Sequence, residues 1–202
     1  MIKILFSLVL IVNSVPLSAA NIVVLGDSIS AGYGLNIDKG WVFLLQNKIH
    51  AQKLDYTLYN ESINGDTTAG GLDRIDFVLA RHQPKLLLLE LGANDGMQGR
   101  PANIIKTNLA EIVKRSQDAG AKVLLLSMRI PKNPKHGLRY ANMYYNTYLE
   151  LGKELNIPVV PFILEDVALY KELMHQDRIH PNAQAQRHIV EDIWPYLLPM
   201  LK

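Results

Sequence analysis

Short apolar, β-branched runs recur along this chain, with segments of helical spacing between them. The run at 22–25 (Ile22, Val23, Val24, Leu25) reads as a buried strand. Over 41–49, Trp41, Leu44, Leu45 and Ile49 fall at helical spacing, and 56–59 reads as a second strand. Over 68–81 a helix is expected, with Leu72, Ile75, Val78 and Leu79 on one face. Pro84 breaks the chain. The leucine run at 86–91 then reads as one deeply buried apolar strand. The most regular amphipathic helix spans 104–119, with Gly120 at its C′ position. A strand at 123–128, a helix at 138–155, a short strand at 159–162 and a helix at 183–198 complete the pattern. Strand and helix alternate, and the strands are apolar throughout instead of at every second position. That combination predicts a parallel sheet covered on both faces. The expected fold is α/β: a three-layer α/β/α, flavodoxin-like sandwich around a five-stranded parallel sheet.

The first twenty residues depart from this alternation. Lys3 precedes an apolar stretch over 4–12 broken only by Ser7, and Pro16, Ser18, Ala19 and Ala20 form a cleavage-site pattern. An export signal over 1–20, cut after Ala20, is expected, leaving one domain over 21–202. An uncleaved anchor is the alternative, but the apolar run is too short to span a bilayer, so no stable membrane insertion is expected. Cysteine is absent. This excludes a lipid-modified cysteine at the mature start, a thiol nucleophile and a Cys-ligated metal, and an exported domain must then be held by its core alone. With 49% of its 202 residues hydrophobic and 20% charged, the chain can bury a core of useful size. Its formal net charge is only +2 and the basic residues are scattered, so no nucleic-acid partner is indicated. Nothing in the pattern demands a dimer, and a monomer is expected.

Candidate chemistry collects where strands end. The first strand runs into Gly26, Asp27 and Ser28, which places a hydroxyl at the carboxyl edge of a parallel sheet, where ligands bind. The second runs into 60–67 (NESINGDT), where Gly65 lets a backbone N–H approach a ligand. The third runs into Gly92, Ala93, Asn94, Asp95 and Gly96, and the Asn94 amide has two donors. Near the C-terminus stands 175–181 (HQDRIHP), with Asp177 and His180 three residues apart, so that a carboxylate can hold an imidazole Nδ1–H. Each has a plainer reading alone: Ser28 as a helix N-cap, Gly65 as a turn glycine, Asn94 as an Asx-turn, Asp177 and His180 as an N-cap pair. A metal site from His175, Asp177 and His180 is also conceivable, without a recognised ligand spacing. Taken together the four turns supply a nucleophile (Ser28), a base (His180), an orienter (Asp177) and oxyanion donors: the N–H groups of Ser28 and Gly65 and the Asn94 amide. That set is a hydrolase, and it needs no cofactor and no metal.

These residues resemble the GDSL, or SGNH, hydrolases, and most of all the periplasmic branch of bacterial acyl-CoA thioesterase/lysophospholipases and arylesterases. The resemblance covers 21–198 in four ordered blocks: GDSIS with Ser28, NGDTTAGGL with Gly65, GANDG with Asn94, and DRIHP with Asp177 and His180. It implies an SGNH hydrolase fold and a Ser28–His180–Asp177 triad. It also implies an oxyanion hole of Ser28, Gly65 and Asn94, a small-molecule acyl ester or thioester substrate, and a periplasmic location. A deacetylase of short-chain or carbohydrate esters on the same machinery, and a non-catalytic exported binding module, are the competing readings. One departure stands out: the last block often has glycine where this chain has Arg178. The G-x-S-x-G elbow of α/β-hydrolases is absent around Ser28.

Overall fold

The computed structural model describes residues 19–130 and 137–202. The expected export signal therefore lies outside the described residues except for Ala19 and Ala20, and so does 131–136 of the loop before Gly137. Five parallel strands form one sheet: β1 (Ala20–Gly26), β2 (Tyr56–Asn60), β3 (Leu86–Glu90), β4 (Lys122–Leu126) and β5 (Val159–Val160). Their order across the sheet is β2-β1-β3-β4-β5. Seven α-helices join them: α1 (Ser28–Ala31), α2 (Trp41–Ala51), α3 (Thr68–His82), α4 (Ala93–Met97), α5 (Ala102–Asp118), α6 (Gly137–Glu154) and α7 (Gln186–Leu197). This is the three-layer α/β sandwich expected.

The layers follow from handedness. The chain leaves β1 in one direction to make β2, then returns past β1 to make β3, β4 and β5. Right-handed crossovers put the two directions on opposite faces. Accordingly α2 packs with α7, while α3 packs with α5 and α5 with α6. Ile22, Val23, Val24 and Leu25 of β1 and Leu87, Leu88 and Leu89 of β3 are wholly inaccessible to solvent, as strands covered on both faces must be. The edge strand β2 is half-exposed, and the other edge, β5, is only two residues long, which limits the unpaired backbone on offer.

The long elements lie where periodicity put them, and the departures are at ends and in short pieces. The fourth strand ends at Leu126, not Met128, and the fifth at Val160, not Phe162; Met128 and Phe162 instead wall a cavity. The last helix begins at Gln186, not Ala183. Residues 182–185 form a turn closed by Ala185 N–H on the Asn182 carbonyl, and the Gln186 amide bonds the carbonyls of Pro181 and Asn182. Helices α1 and α4 are one turn long, too short to show a period. No helix among the described residues is long and apolar enough to cross a membrane.

Candidate active site

The order β2-β1-β3-β4-β5 makes the β1/β3 gap the switch point, where loops from the two strands diverge and leave a crevice at their carboxyl ends. In register, Gly26 of β1 faces Glu90 of β3. The next residues on the β1 side are Asp27 and Ser28. Asp27, not Ser28, caps the following helix: its Oδ1 accepts from Ile29 N–H at 3.0 Å. Ser28 is the first residue of α1, so its hydroxyl is released from capping. Its N–H is one of the donors that a helix start leaves without an intrahelical acceptor.

The Ser28 hydroxyl meets His180 across 152 residues of sequence. Oγ lies 2.9 Å from Nε2, and His180 Nδ1 lies 2.7 Å from Asp177 Oδ2. Asp177 is itself pinned, since its Oδ1 accepts from the N–H groups of Ile179 (2.9 Å) and His180 (3.1 Å). Burial works against its charge, but the bonds from the imidazole and the two N–H groups outweigh it and hold Asp177 down at about 2. The loop bearing both residues is tied back twice. His175 N–H donates to the His180 carbonyl at 2.8 Å, and buried Gln186 links the Pro181 carbonyl to the Trp41 N–H at the start of α2. Tyr33, which the sequence did not single out, stacks on the imidazole with ring centres 4.3 Å apart. The His175, Asp177, His180 metal set does not assemble. Both His180 nitrogens are engaged as above, and no group of three His, Asp or Glu among the described residues could hold an ion.

Asn94, on α4, reaches the same crevice. Its Nδ2 donates to the Asp66 carbonyl at 2.8 Å and to Asp27 Oδ2 at 3.2 Å. Both amide hydrogens are thus occupied, and a developing oxyanion would take over or share the longer one. Helix α4 is held in place by Asp95, a buried carboxylate that accepts from Thr68 N–H (2.7 Å) and Thr68 Oγ (2.9 Å) at the start of α3. Gly65 lies at the exposed tip (63–65) of the otherwise half-buried 61–67 turn, with φ +77°, beside the Asp66 that Asn94 holds.

Glu90 was missed. The leucine run at 86–91 is not uniformly apolar: β3 ends within it on Glu90, a carboxylate that is completely buried. Its Oε2 accepts from Ser30 Oγ at 2.7 Å and from Asp27 N–H at 3.2 Å, while Oε1 has no hydrogen-bond partner among the described residues. Burial pushes both Glu90 and Asp27 upward, and for Glu90 the nearby Asp27 charge adds to it. The Asp27 carboxylate oxygens accept from Ile29 N–H and Asn94 Nδ2. A β-carbon on Gly26 would stand 2.7 Å from Ser30 Oγ and 2.8 Å from Glu90 Oε2, so only glycine fits between β1 and this pair. The signal available was one acidic residue among five leucines, next to a Gly-Asp-Ser turn.

Beside Ser28 opens a cavity of about 310 Å³, walled chiefly by Ile29, Met97, Met128, Ile130, Phe162 and Leu164. That is the lower end of ordinary ligand-pocket volumes. A hydroxyl bonded to an imidazole, an imidazole bonded to a carboxylate, adjacent amide donors and an apolar cavity together suit acyl transfer.

Comparison with known proteins places the chain in one family. Residues 24–188 match the GDSL-like lipase/acylhydrolase family. The chain is 41% identical over 184 residues to esterase TesA of Pseudomonas aeruginosa, covering 91% of this chain and 90% of that one. It is 36% identical over 184 residues to thioesterase 1/protease 1/lysophospholipase L1 of Escherichia coli strain K12, covering 91% and 86%. The crystal structure of the psychrotrophic esterase EstA of Pseudoalteromonas sp., inhibited by monoethylphosphonate, superimposes with a TM-score of 0.85 at 39% identity, over 90% of this chain and 98% of that one.

Proposed function

The chain belongs to the GDSL-like lipase/acylhydrolase family and is a serine esterase, and from that premise we propose that Ser28 is its nucleophile, His180 its base and Asp177 the group that orients the imidazole. Ser28 Oγ attacks the carbonyl of an ester or thioester as its proton passes to His180 Nε2. The oxyanion forms against the N–H groups of Ser28 and Gly65 and the Asn94 amide. The imidazolium then gives its proton to the leaving alcohol or thiol. Water, deprotonated by the same nitrogen, releases the acid and restores Ser28. The observation that carries this reading is the unbroken run of bonds from Oγ to Nε2 (2.9 Å) and from Nδ1 to Oδ2 (2.7 Å).

The cavity supports acyl groups of medium length as substrates, and the relative named as a thioesterase and lysophospholipase supports extending them to thioesters and lysophospholipids. Each methylene moved from water into an apolar site is worth about 0.8 kcal/mol, or roughly fourfold in kcat/KM. Hydrolysis of p-nitrophenyl esters should therefore climb about fourfold per methylene from acetyl upward until the cavity is full, then level off. A series in which acetyl is the best substrate would overturn the acyl-site assignment and favour the deacetylase reading.

Asn94→Ala should lower kcat by about 10²–10³ with little change in KM, since its amide is asked to bind charge only in the transition state. A near-normal kcat, in a variant whose circular dichroism is unchanged, would remove Asn94 from the mechanism. Export to the periplasm after cleavage at Ala20 belongs to the same proposal, supported by Lys3, the apolar 4–12 stretch and the small residues before Asn21. Ala20 is also the first residue of β1, paired in register with Tyr56.

A further inference from the structure

One cation at the cavity has no counterion among the described residues. Arg178 lies between Asp177 and Ile179 in the turn closed by its own N–H on the His175 carbonyl (3.0 Å), and it lines the cavity together with Ser28 and Ile179. Its φ is +60°, the left-handed region that glycine enters freely and an arginine does not. The other charged groups lining this cavity are already satisfied. Arg129 pairs with Glu165 at 3.3 Å and lies over the Tyr145 ring at 3.9 Å, and Asp27 is buried against Ile29 and Asn94. No carboxylate among the described residues comes within 4.0 Å of the Arg178 guanidinium, and Arg178 is an exposed residue. Backbone strain kept at a site edge, with a fork of donors unspent, points to a ligand group as the partner.

From this juxtaposition we propose that Arg178 is a specificity-determining residue. It selects esters whose alcohol portion carries an anionic group, a carboxylate or a phosphate, held at the cavity mouth while the acyl chain fills the apolar interior. The proposal rests on the reading of Ser28 and its cavity given above. The interaction is made as fully in the bound substrate as in the transition state, so it acts through KM more than kcat.

The test compares two octanoyl esters that differ by one charge: 2-nitrophenyl octanoate and 4-nitro-3-(octanoyloxy)benzoate. Taking the ratio of their kcat/KM values in each protein removes their difference in intrinsic reactivity. Arg178→Gly and Arg178→Asn should each lower the anionic-to-neutral ratio by about five- to tenfold against wild type, the size of one charged hydrogen bond at a wet rim. Arg178→Lys should keep part of the preference, and rising salt should erode it in wild type. Asparagine tolerates the left-handed region, so it separates loss of charge from relief of strain. A ratio unchanged in the glycine and asparagine variants overturns the proposal, even if the glycine variant melts higher, because Arg178 is then only a strained turn residue. The underlying reading fails separately, if wild type hydrolyses neither ester or Ser28→Ala still hydrolyses both.

Discussion

Ser28→Ala should lose about 10⁶-fold in kcat, the size of effect seen when the nucleophile of a serine triad is removed, while the protein stays folded. The second half of that expectation comes from the cap. Had Ser28 capped α1, alanine would also cost helix stability of about 1 kcal/mol. Here Asp27 Oδ1 supplies the cap to Ile29 N–H, and the Ser28 side chain bonds only the imidazole among the described residues. The melting temperature should therefore move by no more than about 2–4 °C, the shift for 1 kcal/mol in a domain of this size. Wild type should gain one fluorophosphonate adduct by mass, on Ser28, and the alanine variant none. Hydrolysis by the variant at the wild-type rate, or labelling elsewhere, would end the central assignment.

How much of this could be read from the sequence depends on the range over which each signal acts. The sheet could be read because β1 and β3 are buried on both faces, and such strands show as continuous Ile, Val and Leu. The Ser28, His180 and Asp177 constellation could be read because Asp177 and His180 share one turn and Ser28 follows two residues after the end of β1, so local pattern and sheet polarity sufficed. The Asp27–Glu90–Ser30 cluster could not. It joins two strands in register, and no local rule ties an acidic residue at the end of β3 to a turn 63 residues earlier. The same holds for the Asn94 amide: its type was evident, but not its two existing acceptors on Asp27 and Asp66. The strain at Arg178 is a middle case. The departure from glycine is visible in the sequence, and the φ of +60° shows what that departure costs.

Asp177→Asn should cost about 10⁴ in kcat, although the two side chains have nearly the same shape. Asp177 Oδ1 accepts two backbone N–H groups, at 2.9 and 3.1 Å. In the variant those donors keep the amide oxygen on their side and turn the NH₂ toward His180 Nδ1. A donor facing Nδ1 requires that nitrogen to be unprotonated, so the imidazole proton moves to Nε2. An Nε2–H directed at Ser28 Oγ cannot take the hydroxyl proton, and the base is lost without any loss of contact. Asp177→Ala, which leaves the tautomer free, should accordingly be no worse than the asparagine variant. Stability carries an independent sign. The folded Asp177 titrates at about 2, below its unfolded value, so between about pH 4 and 2 the unfolded chain binds more protons and the carboxylate's contribution fades as pH falls. The stability gap between wild type and Asp177→Asn should shrink as pH falls through that window, which urea melts at several pH values would measure. An asparagine variant with most of its activity would show that the imidazole is oriented by something else, and Asp177 would leave the triad.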